Sequence, residues 1–427
     1  MSFLVTKLSP PALVAPSEPT PAGELPLTST DRSRLFLLFT TLLVFDRPIA
    51  EPAETIRRAL SRALVHYYPV AGRIVGGAGD GCDQQEARLA CTGEGVAFAA
   101  AAASCTLEGA RFLHAPPAIP LADLALRYGG RRRPSDPLLL VQVTEFACGG
   151  YVVGVTANHG VADAFGVAQL LRAVGELARG LPSPSVAPVR HDGAFPDIPQ
   201  LLADVVRRHP AGFKPMDELV YSDVTVPWSF IERVKAEFRG RHGGAARPCT
   251  VFEVVAAAVW RCRTRAVNAG AGAPAPLVFT ANVRRHVGAR DGYYGNCILS
   301  VPVAATGGAV ASGAVVDLVG LIREAKEQIP ETLAGGGSPA LEEELVGAMC
   351  GYGALYVSTW GGIGMDGVDL GGGGPARVVS SPEQAVAPMC WPCMPCAMND
   401  GEGSNVLALC VTEEHVERFL AELARLQ

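Results

Sequence analysis

One stretch near the middle of the chain combines a buried strand, a short turn and an amphipathic helix. Residues 151–157 read Tyr-Val-Val-Gly-Val-Thr-Ala, an apolar run of the kind that fills a strand covered on both faces. Apolar residues then recur at helical spacing from Val167 to Ala178, and Gly180 is placed to end that helix. The sequence therefore predicts a strand and a helix joined by a turn that contains residues 159–163.

This turn carries His159 and Asp163, four residues apart. Loops that a rigid scaffold holds are where catalytic side chains concentrate. A histidine in such a loop, with a pKa near neutrality, is suited to act as a general base. Because a histidine and an aspartate also fall at this spacing by chance, the motif alone is equally compatible with a structural histidine.

Length and charge narrow the range of architectures and partners. A chain of 427 residues exceeds what one ordinary hydrophobic core holds, so two domains are expected. The formal net charge of -6 argues against a nucleic-acid partner, which requires a basic surface. The most apolar run, residues 35–45, is interrupted by Thr40 and Thr41 and is too short to cross a bilayer. No membrane association is expected, and the absence of a signal-peptide pattern predicts a cytoplasmic protein.

Twelve cysteines in a chain without that pattern favour reduced thiols. Three of them, Cys390, Cys393 and Cys396, form two tandem C-x-x-C spacings that could serve zinc or an iron–sulfur cluster, given a fourth ligand. The nearest histidine, His415, falls in the predicted C-terminal helix. We therefore predict no metal site, and keep a metal-binding or redox protein as an alternative that bound zinc or iron would reveal.

Further blocks with a restricted choice of residues extend over almost the whole chain. Residues 25–31 read Leu-Pro-Leu-Thr-Ser-Thr-Asp, residues 68–73 read Tyr-Pro-Val-Ala-Gly-Arg, and residues 292–296 read Gly-Tyr-Tyr-Gly-Asn. A helix predicted to start near residue 250 begins Thr-Val-Phe-Glu-Val. Together with the intact HxxxD motif of the central turn, these blocks resemble those of the BAHD acyltransferases, a plant family that uses acyl-CoA donors.

The second motif of that family, DFGWG, is altered in this chain. It reads Asp369-Leu-Gly-Gly-Gly, with leucine in place of phenylalanine and glycine in place of tryptophan. Loss of a large apolar ring and a glycine run at 371–374 predict a looser loop. Because the resemblance makes this motif structural and remote from His159, we expect reduced rigidity rather than loss of chemistry.

The resemblance implies an α/β fold of two similar chloramphenicol-acetyltransferase-like domains. Each would hold a mixed sheet flanked by helices, with an active-site channel between the two domains. Since residues 181–199 are rich in proline, we expect an N-terminal domain at 1–185, a linker at 186–210 and a C-terminal domain at 211–427. A monomer is expected.

The resemblance also implies a chemical role for the central histidine. His159 would remove the proton of an alcohol or amine acceptor as the acceptor attacks the thioester carbonyl of acyl-CoA, with no covalent acyl-enzyme. The imidazole must be neutral for this, so activity should fall below the histidine pKa. The tetrahedral oxyanion needs a hydrogen-bond donor, which the sequence does not identify.

Two roles are open for Asp163. It could orient His159 as part of a catalytic dyad, or it could resemble the family's structural anchor, which points away from the site and pairs with the arginine that matches Arg284. We favour the anchor, as an ion pair between the two halves of the chain. Asp369 is assigned a structural role by the same resemblance, and Thr250 is a candidate CoA contact.

The predicted function is therefore transfer of an acyl group from acyl-CoA, as co-substrate, to the hydroxyl of a small plant metabolite, without a bound cofactor. Transfer to an amine is an open alternative. A non-catalytic relative that binds CoA or another small ligand is a second alternative, motivated by the altered motif at Asp369 and opposed by the intact His159 and Asp163.

Overall fold

The computed structural model describes residues 3–35, 37–76, 86–129, 133–191, 196–208, 216, 218–243, 247–268, 270–335, 343–381, 385–399 and 401–426. The strands are, in chain order, β1 (Val5–Lys7), β2 (Ala12–Val14), β3 (Glu24–Pro26), β4 (Leu38–Phe45), β5 (Arg73–Val75), β6 (Arg88–Ala90), β7 (Val96–Ala103), β8 (Leu139–Glu145), β9 (Tyr151–Asn158), β10 (Leu219–Pro227), β11 (Leu277–Asn282), β12 (Ile298–Val303), β13 (Leu355–Val357), β14 (Arg377–Ser380), β15 (Met389–Pro392) and β16 (Gly403–Thr412).

The α-helices are α1 (Ser29–Arg32), α2 (Pro52–His66), α3 (Ala164–Ala178), α4 (Leu201–Arg208), α5 (Trp228–His242), α6 (Val251–Val267), α7 (Gly307–Ser312), α8 (Val315–Glu327), α9 (Ile329–Ala334), α10 (Glu343–Met349) and α11 (Glu413–Ala424). Within the described ranges, no helix combines the length and the apolar character that a bilayer span requires.

The chain forms two units whose segments alternate along the sequence. The first unit consists of Met1–Asp197, Arg284–Cys297 and Gly362–Glu383, and the second of Ile198–Val283, Ile298–Gly361 and Gln384–Gln427. The predicted domains at 1–185 and 211–427, with a linker at 186–210, do not describe this alternation. Two segments that the sequence assigned to the C-terminal domain group with the first unit, because β14 pairs with β4 and Arg284 pairs with Asp163. Residues 192–195 and 209–215, in and beside the predicted linker, lie outside the described residues.

The first unit is built on a mixed sheet of order β1-β7-β8-β9-β4-β14, with β2 also paired to β7. Among the strand pairings of this sheet in the described segments, β7–β8 is parallel and the others are antiparallel. The predicted central strand is confirmed as β9, which is buried along its whole length and antiparallel to both β8 and β4. Inside this sheet the hydroxyls of Thr40 and Thr156 hydrogen-bond at 2.9 Å, so the polar atoms of two buried threonines satisfy one another.

Helices α2 and α3 pack against each other in the same unit. Pro52 stands in the first turn of α2, where its missing N–H is harmless, and the buried face of this helix recurs at helical spacing. The predicted helix after the central turn is confirmed as α3, which begins three residues earlier than its first periodic apolar residue, Val167. A smaller sheet of order β3-β6-β5 completes this unit within the described residues.

The second unit is built on a mixed sheet of order β10-β16-β15-β13-β11-β12. Helix α6 packs against α5, α8 and α11 as well as against β15 and β16. Its predicted capping box is present, since Thr250 and Glu253 exchange side-chain and backbone hydrogen bonds. The α/β class with two mixed sheets flanked by helices is thus confirmed.

The altered DFGWG segment is ordered by its aspartate. One carboxylate oxygen of Asp369 accepts hydrogen bonds from the backbone N–H groups of Gly371 and Gly373, both at 2.8 Å. The glycine that replaces tryptophan, Gly372, is closely covered: a Cβ there would lie 3.1 Å from the Arg47 carbonyl oxygen and 3.3 Å from Ile49. A side chain at this position therefore requires Arg47 and Ile49 to shift slightly.

A small apolar cavity lies beside the leucine that replaces phenylalanine in this motif. It is lined by Leu43, Phe45, Ile56, Leu60, Val141, Val153, Leu171, Val174, Val368 and Leu370. All of these residues belong to the first unit, between its main sheet and helices α2 and α3. Unfilled space beside Leu370 reduces the dispersion contacts of the surrounding side chains.

We expect Leu370→Phe to fill this cavity and stabilise the first unit by about 1 kcal/mol, since cavity filling commonly contributes gains of that size. The measurement is the urea midpoint of unfolding, with near-ultraviolet circular dichroism as the signal that monitors unfolding. Leu370→Ala is the matched control and should destabilise by about 2–5 kcal/mol. A lower midpoint for Leu370→Phe would mean that the ring overpacks this site.

Candidate active site

His159 lies in a rigid turn between the end of β9 and the start of α3. Its backbone N–H donates to the carbonyl of Leu37 at 2.8 Å. The Asn158 side chain accepts from the N–H of Gly160 at 2.9 Å and closes the turn locally. Gly160 has no room for a side chain, because a Cβ would lie 2.6 Å from the Cα of Leu35. The turn therefore holds the half-buried imidazole of His159 at a fixed place.

Asp163 is the N-cap of α3 and is buried. Its Oδ1 accepts from the N–H of Gly166 at 3.0 Å and from Arg284 at 2.8 Å. Its Oδ2 accepts from Arg284 at 2.9 Å and from the N–H of Cys297 at 3.0 Å. Four hydrogen bonds thus engage both oxygens, and none of them involves His159. This geometry supports the anchor role rather than a catalytic dyad.

Arg284 ties a distant piece of chain to this turn. Besides its two bonds to Asp163 it donates to the carbonyls of Tyr293 at 3.1 Å and Gly295 at 2.7 Å. Helix α3 approaches the same segment so closely that a Cβ on Gly166 would lie 1.9 Å from the Tyr294 carbonyl oxygen. The expected ion pair between the two halves of the chain needs a correction, since both partners belong to the first unit.

We expect Asp163→Ala to lower the free energy of unfolding by about 3–5 kcal/mol, because it leaves the Arg284 charge buried without its partner. Chemical unfolding measures this loss, and Arg284→Ala should reproduce it. As a control, Arg57→Ala removes an ion pair with Glu54 whose two side chains are 47% and 43% exposed, and it should change little. Equal effects of the buried and exposed pairs would contradict the anchor role.

The nearest hydrogen-bonding partner of the imidazole is Asn296, which the sequence reasoning did not single out. Nδ1 of His159 lies 3.0 Å from Oδ1 of Asn296. The amide nitrogen of Asn296 donates to the carbonyl of His159 at 2.6 Å and to Oδ1 of Asp31 at 2.9 Å. Only a donor can face those two acceptors, so the amide oxygen faces the imidazole and accepts its Nδ1 proton. Nε2 is then left with its lone pair, as a base requires.

Asp31 extends this chain of contacts to a buried arginine. Its Oδ2 accepts from Arg190 at 3.0 Å and from the N–H of Thr28 at 3.0 Å. Asp31 and Asn296 are both 0% exposed, and Arg190 is buried as well. In the sequence, Asn296 is the last residue of the 292–296 block and Asp31 is the last residue of the 25–31 block. Nothing in the sequence of either block shows that these two residues come into contact.

Burial, and next the charge of Arg34, lower the pKa of His159 to about 4, against a smaller upward influence of Asp163 and Asn296. The ring of Phe39 stands edge-on to the imidazole with centroids 5.0 Å apart and limits its contact with water on that side. A pKa below the usual value means that the neutral imidazole is lost only at acidic pH. At neutral pH the side chain is fully in the base form.

We therefore expect the His159 resonance in an NMR titration to stay that of a neutral imidazole down to about pH 5, well below the ordinary histidine pKa of about 6.5. The signal is assigned by its absence in His159→Gln. Arg34→Gln should raise the pKa because it removes a repelling charge. A wild-type titration centred near pH 6.5 would show that burial and Arg34 do not have this effect.

The remaining predicted site residues lie elsewhere. Asp369 forms an ion pair of 2.8 Å with Arg179, the residue that caps the C-terminal end of α3. Thr250 belongs to the second unit, where its hydroxyl accepts from the N–H of Glu253 at 3.2 Å. This capping contact explains the position of Thr250 within the fold, and its contact with CoA stays a prediction.

The cysteine run begins in β15, which contains Cys390, and continues through Cys393 and Cys396 after the end of that strand. Burial raises the pKa of the Cys390 and Cys393 thiols, which opposes the thiolate form that metals bind. In the part of the chain that the structure describes, no group of three or more histidine, cysteine, aspartate or glutamate residues is arranged to hold a metal ion.

The fold matches those of solved structures. The crystal structure of TRI101 from F. graminearum, complexed with ethyl coenzyme A, superimposes with a TM-score of 0.72 over 95% of this chain and 99% of that one, at 16% identity. At this identity the likeness concerns the fold alone. The class defined by fold and site is thus a two-unit α/β protein with a histidine held at the end of a central strand.

Sequence relatives give the family. Acyl transferase 15 of Oryza sativa subsp. japonica is 42% identical over 100% of this chain and 99% of its own length. A myricetin 3-O-glucosyl 1,2-rhamnoside 6'-O-caffeoyltransferase of Crocosmia x crocosmiiflora, AT1, is 33% identical over 99% of both chains. The model of the Transferase family matches residues 5–426. The chain belongs to this family, the BAHD acyltransferases, and is an enzyme that transfers acyl groups other than aminoacyl groups.

Proposed function

We propose that the protein transfers an acyl group from a CoA thioester to the hydroxyl of a small metabolite, with His159 as the general base. The observation that carries the proposal is the hydrogen bond from Nδ1 of His159 to Asn296, which leaves Nε2 unprotonated. Burial lowers the pKa of His159 to about 4, so the base form is complete at neutral pH, although the imidazole is then a weaker base than one with a pKa near 7.

The proton balance of the reaction fits this histidine. Nε2 takes the hydroxyl proton while the acceptor oxygen attacks the thioester carbonyl. The tetrahedral intermediate then collapses with loss of the CoA thiolate, and the imidazolium returns the proton to sulfur. An imidazolium of pKa about 4 is a strong acid toward a thiolate, whose conjugate thiol has a pKa of about 8.5. No covalent acyl-enzyme is needed, and the histidine ends each cycle neutral.

The choice of donor and acceptor class draws on the relatives. The solved structure of TRI101 holds ethyl coenzyme A, which supports acyl-CoA as co-substrate here. The Crocosmia relative is named as an O-caffeoyltransferase, which supports a hydroxyl acceptor. Action as a monomer in the cytoplasm, without a bound cofactor, stays a prediction.

We expect His159→Ala to lower turnover by about 10²–10⁴-fold, the usual contribution of a positioned general base. Purified enzyme would be offered a panel of acyl-CoA donors with mixed alcohol and amine acceptors, and products would be detected by mass spectrometry. His66→Ala, at the end of α2 and outside the site, is the matched control and should retain wild-type turnover. The same panel identifies the acyl group and separates ester from amide products.

Two outcomes would contradict the proposal. If His159→Ala formed product as fast as wild type, His159 would not be the base. If folded wild type formed no product with any donor, the non-catalytic alternative for this chain would be favoured. Amide products alone would move the acceptor class to amines while keeping the role of His159.

A further inference from the structure

We infer that Asp31 is a positioning residue for the proposed base: held by Arg190, it orients the Asn296 amide, which keeps the imidazole proton on Nδ1 of His159. The inference rests on the proposed function and extends it by a control over the tautomer of the base. Asp31 contacts neither the imidazole nor any group expected to react, so its effect is exerted through Asn296.

The first step is the orientation of the amide. As it stands, the Asn296 nitrogen donates to the His159 carbonyl and to Asp31, while its oxygen accepts from Nδ1. A flipped amide would place its oxygen against a carbonyl and a carboxylate, and its NH₂ group against Nδ1. Nδ1 would then have to accept, the imidazole proton would move to Nε2, and the base would lose the lone pair it uses.

The second step is the charge of Asp31. A hydrogen bond to an ionised acceptor is roughly twice as strong as one between neutral groups. A buried carboxylate also needs a counter-charge, and Arg190 supplies it at 3.0 Å. Arg190 is fixed in turn by its neighbour Val189, whose backbone bonds to Gly292 at 2.9 Å and Tyr294 at 3.0 Å.

Three separate segments therefore determine together which nitrogen of His159 carries the proton. They are the α1 region, the segment around residue 190 and the 292–296 block. All of them belong to the first unit, as does His159. Because both the oxygen and the nitrogen of the Asn296 amide have buried hydrogen-bond partners, reversing the amide breaks several hydrogen bonds at once.

The conservative variant Asp31→Asn is the most informative test. The charged Arg190 and the N–H of Thr28 donate to Oδ2 at 3.0 Å, closer than the Asn296 backbone N–H, which donates to Oδ1 at 3.4 Å, so they hold the oxygen of the new amide at the Oδ2 position. The NH₂ group of residue 31 then faces the NH₂ group of Asn296 across the contact that is now 2.9 Å. Two donors cannot bond, so the Asn296 amide is driven to flip, and only the His159 carbonyl opposes the flip.

The first measurement is the tautomer of His159, read from nitrogen chemical shifts of the full-length protein labelled at histidine. We expect Nδ1–H in wild type and a substantial Nε2–H population in both Asp31→Asn and Asn296→Ala. His159→Gln assigns the signal. Thr28→Ala is the matched control, because it removes the capping bond that the Thr28 hydroxyl accepts from the Asp31 N–H and leaves the Asn296 contact in place.

The second measurement is steady-state turnover. We expect kcat of Asp31→Asn to fall by between about 10-fold and 10⁴-fold, the upper end being what a wrong histidine tautomer costs a serine protease. KM for acyl-CoA should change little. Since Asp31 acts through Asn296, the double variant with Asn296→Ala should be no slower than Asn296→Ala alone, whereas independent effects would multiply.

The pH profile separates a tautomer effect from a charge effect. The charged groups around the imidazole are Arg34 and Asp163, with Arg284 paired to Asp163 and the Asp31–Arg190 pair beyond Asn296. Removal of a negative charge lowers the pKa of a nearby histidine, so loss of the Asp31 charge does not raise the pKa of His159. The loss of kcat should therefore persist up to neutral pH and above, instead of recovering as the pH rises.

The results distinguish the inference from the proposed function. A changed tautomer with unchanged turnover confirms the positioning by Asp31 and overturns His159 as the base. An unchanged tautomer overturns the inference, whatever the turnover. Unfolding midpoints are measured for every variant, and if Asp31→Asn does not fold, the tautomer of Asn296→Ala decides by itself whether the amide holds the proton on Nδ1.

Discussion

The structure around the site depends on one buried carboxylate. Asp163 caps α3, forms a two-bond ion pair with Arg284 and accepts from the backbone of Cys297, so three local structures meet at two oxygen atoms. The 284–297 segment is drawn into the first unit by these bonds, and this segment carries Asn296 to the imidazole. The aspartate of the HxxxD motif thus serves the histidine indirectly, by holding its hydrogen-bonding partner in place.

Much of the fold was predictable, because local patterns determine it. The central strand, the helix after it and the capping box at Thr250 follow from periodicity and from residue types that the sequence displays directly. The alternation of segments between the two units was not predictable in this way. It depends on β14 adding to the edge of the first sheet, and strand pairing over such a separation leaves no mark on nearby residues.

The residues of the candidate site also differ in how far the sequence could predict them. His159 and Asp163 stand four residues apart in a recognisable turn, so the sequence could place both of them. Asn296, Asp31 and Arg190 come from three regions and meet only in the folded chain, through hydrogen bonds of 2.9 and 3.0 Å. A lowered histidine pKa is likewise invisible in sequence, since burial and the position of Arg34 create it.

Helix α3 is fastened at both ends by the two signature motifs: Asp163 caps its first turn, and Asp369 binds Arg179 after its last. With 15 residues at about 1.5 Å each, the fastenings lie roughly 22 Å apart. When a rigid helix is displaced at one end and fixed at the other, the residues next to the fixed end move little. The altered motif forms the attachment at the far end here, so a displacement of the Asp369 segment would act on the end of α3 that is remote from the histidine.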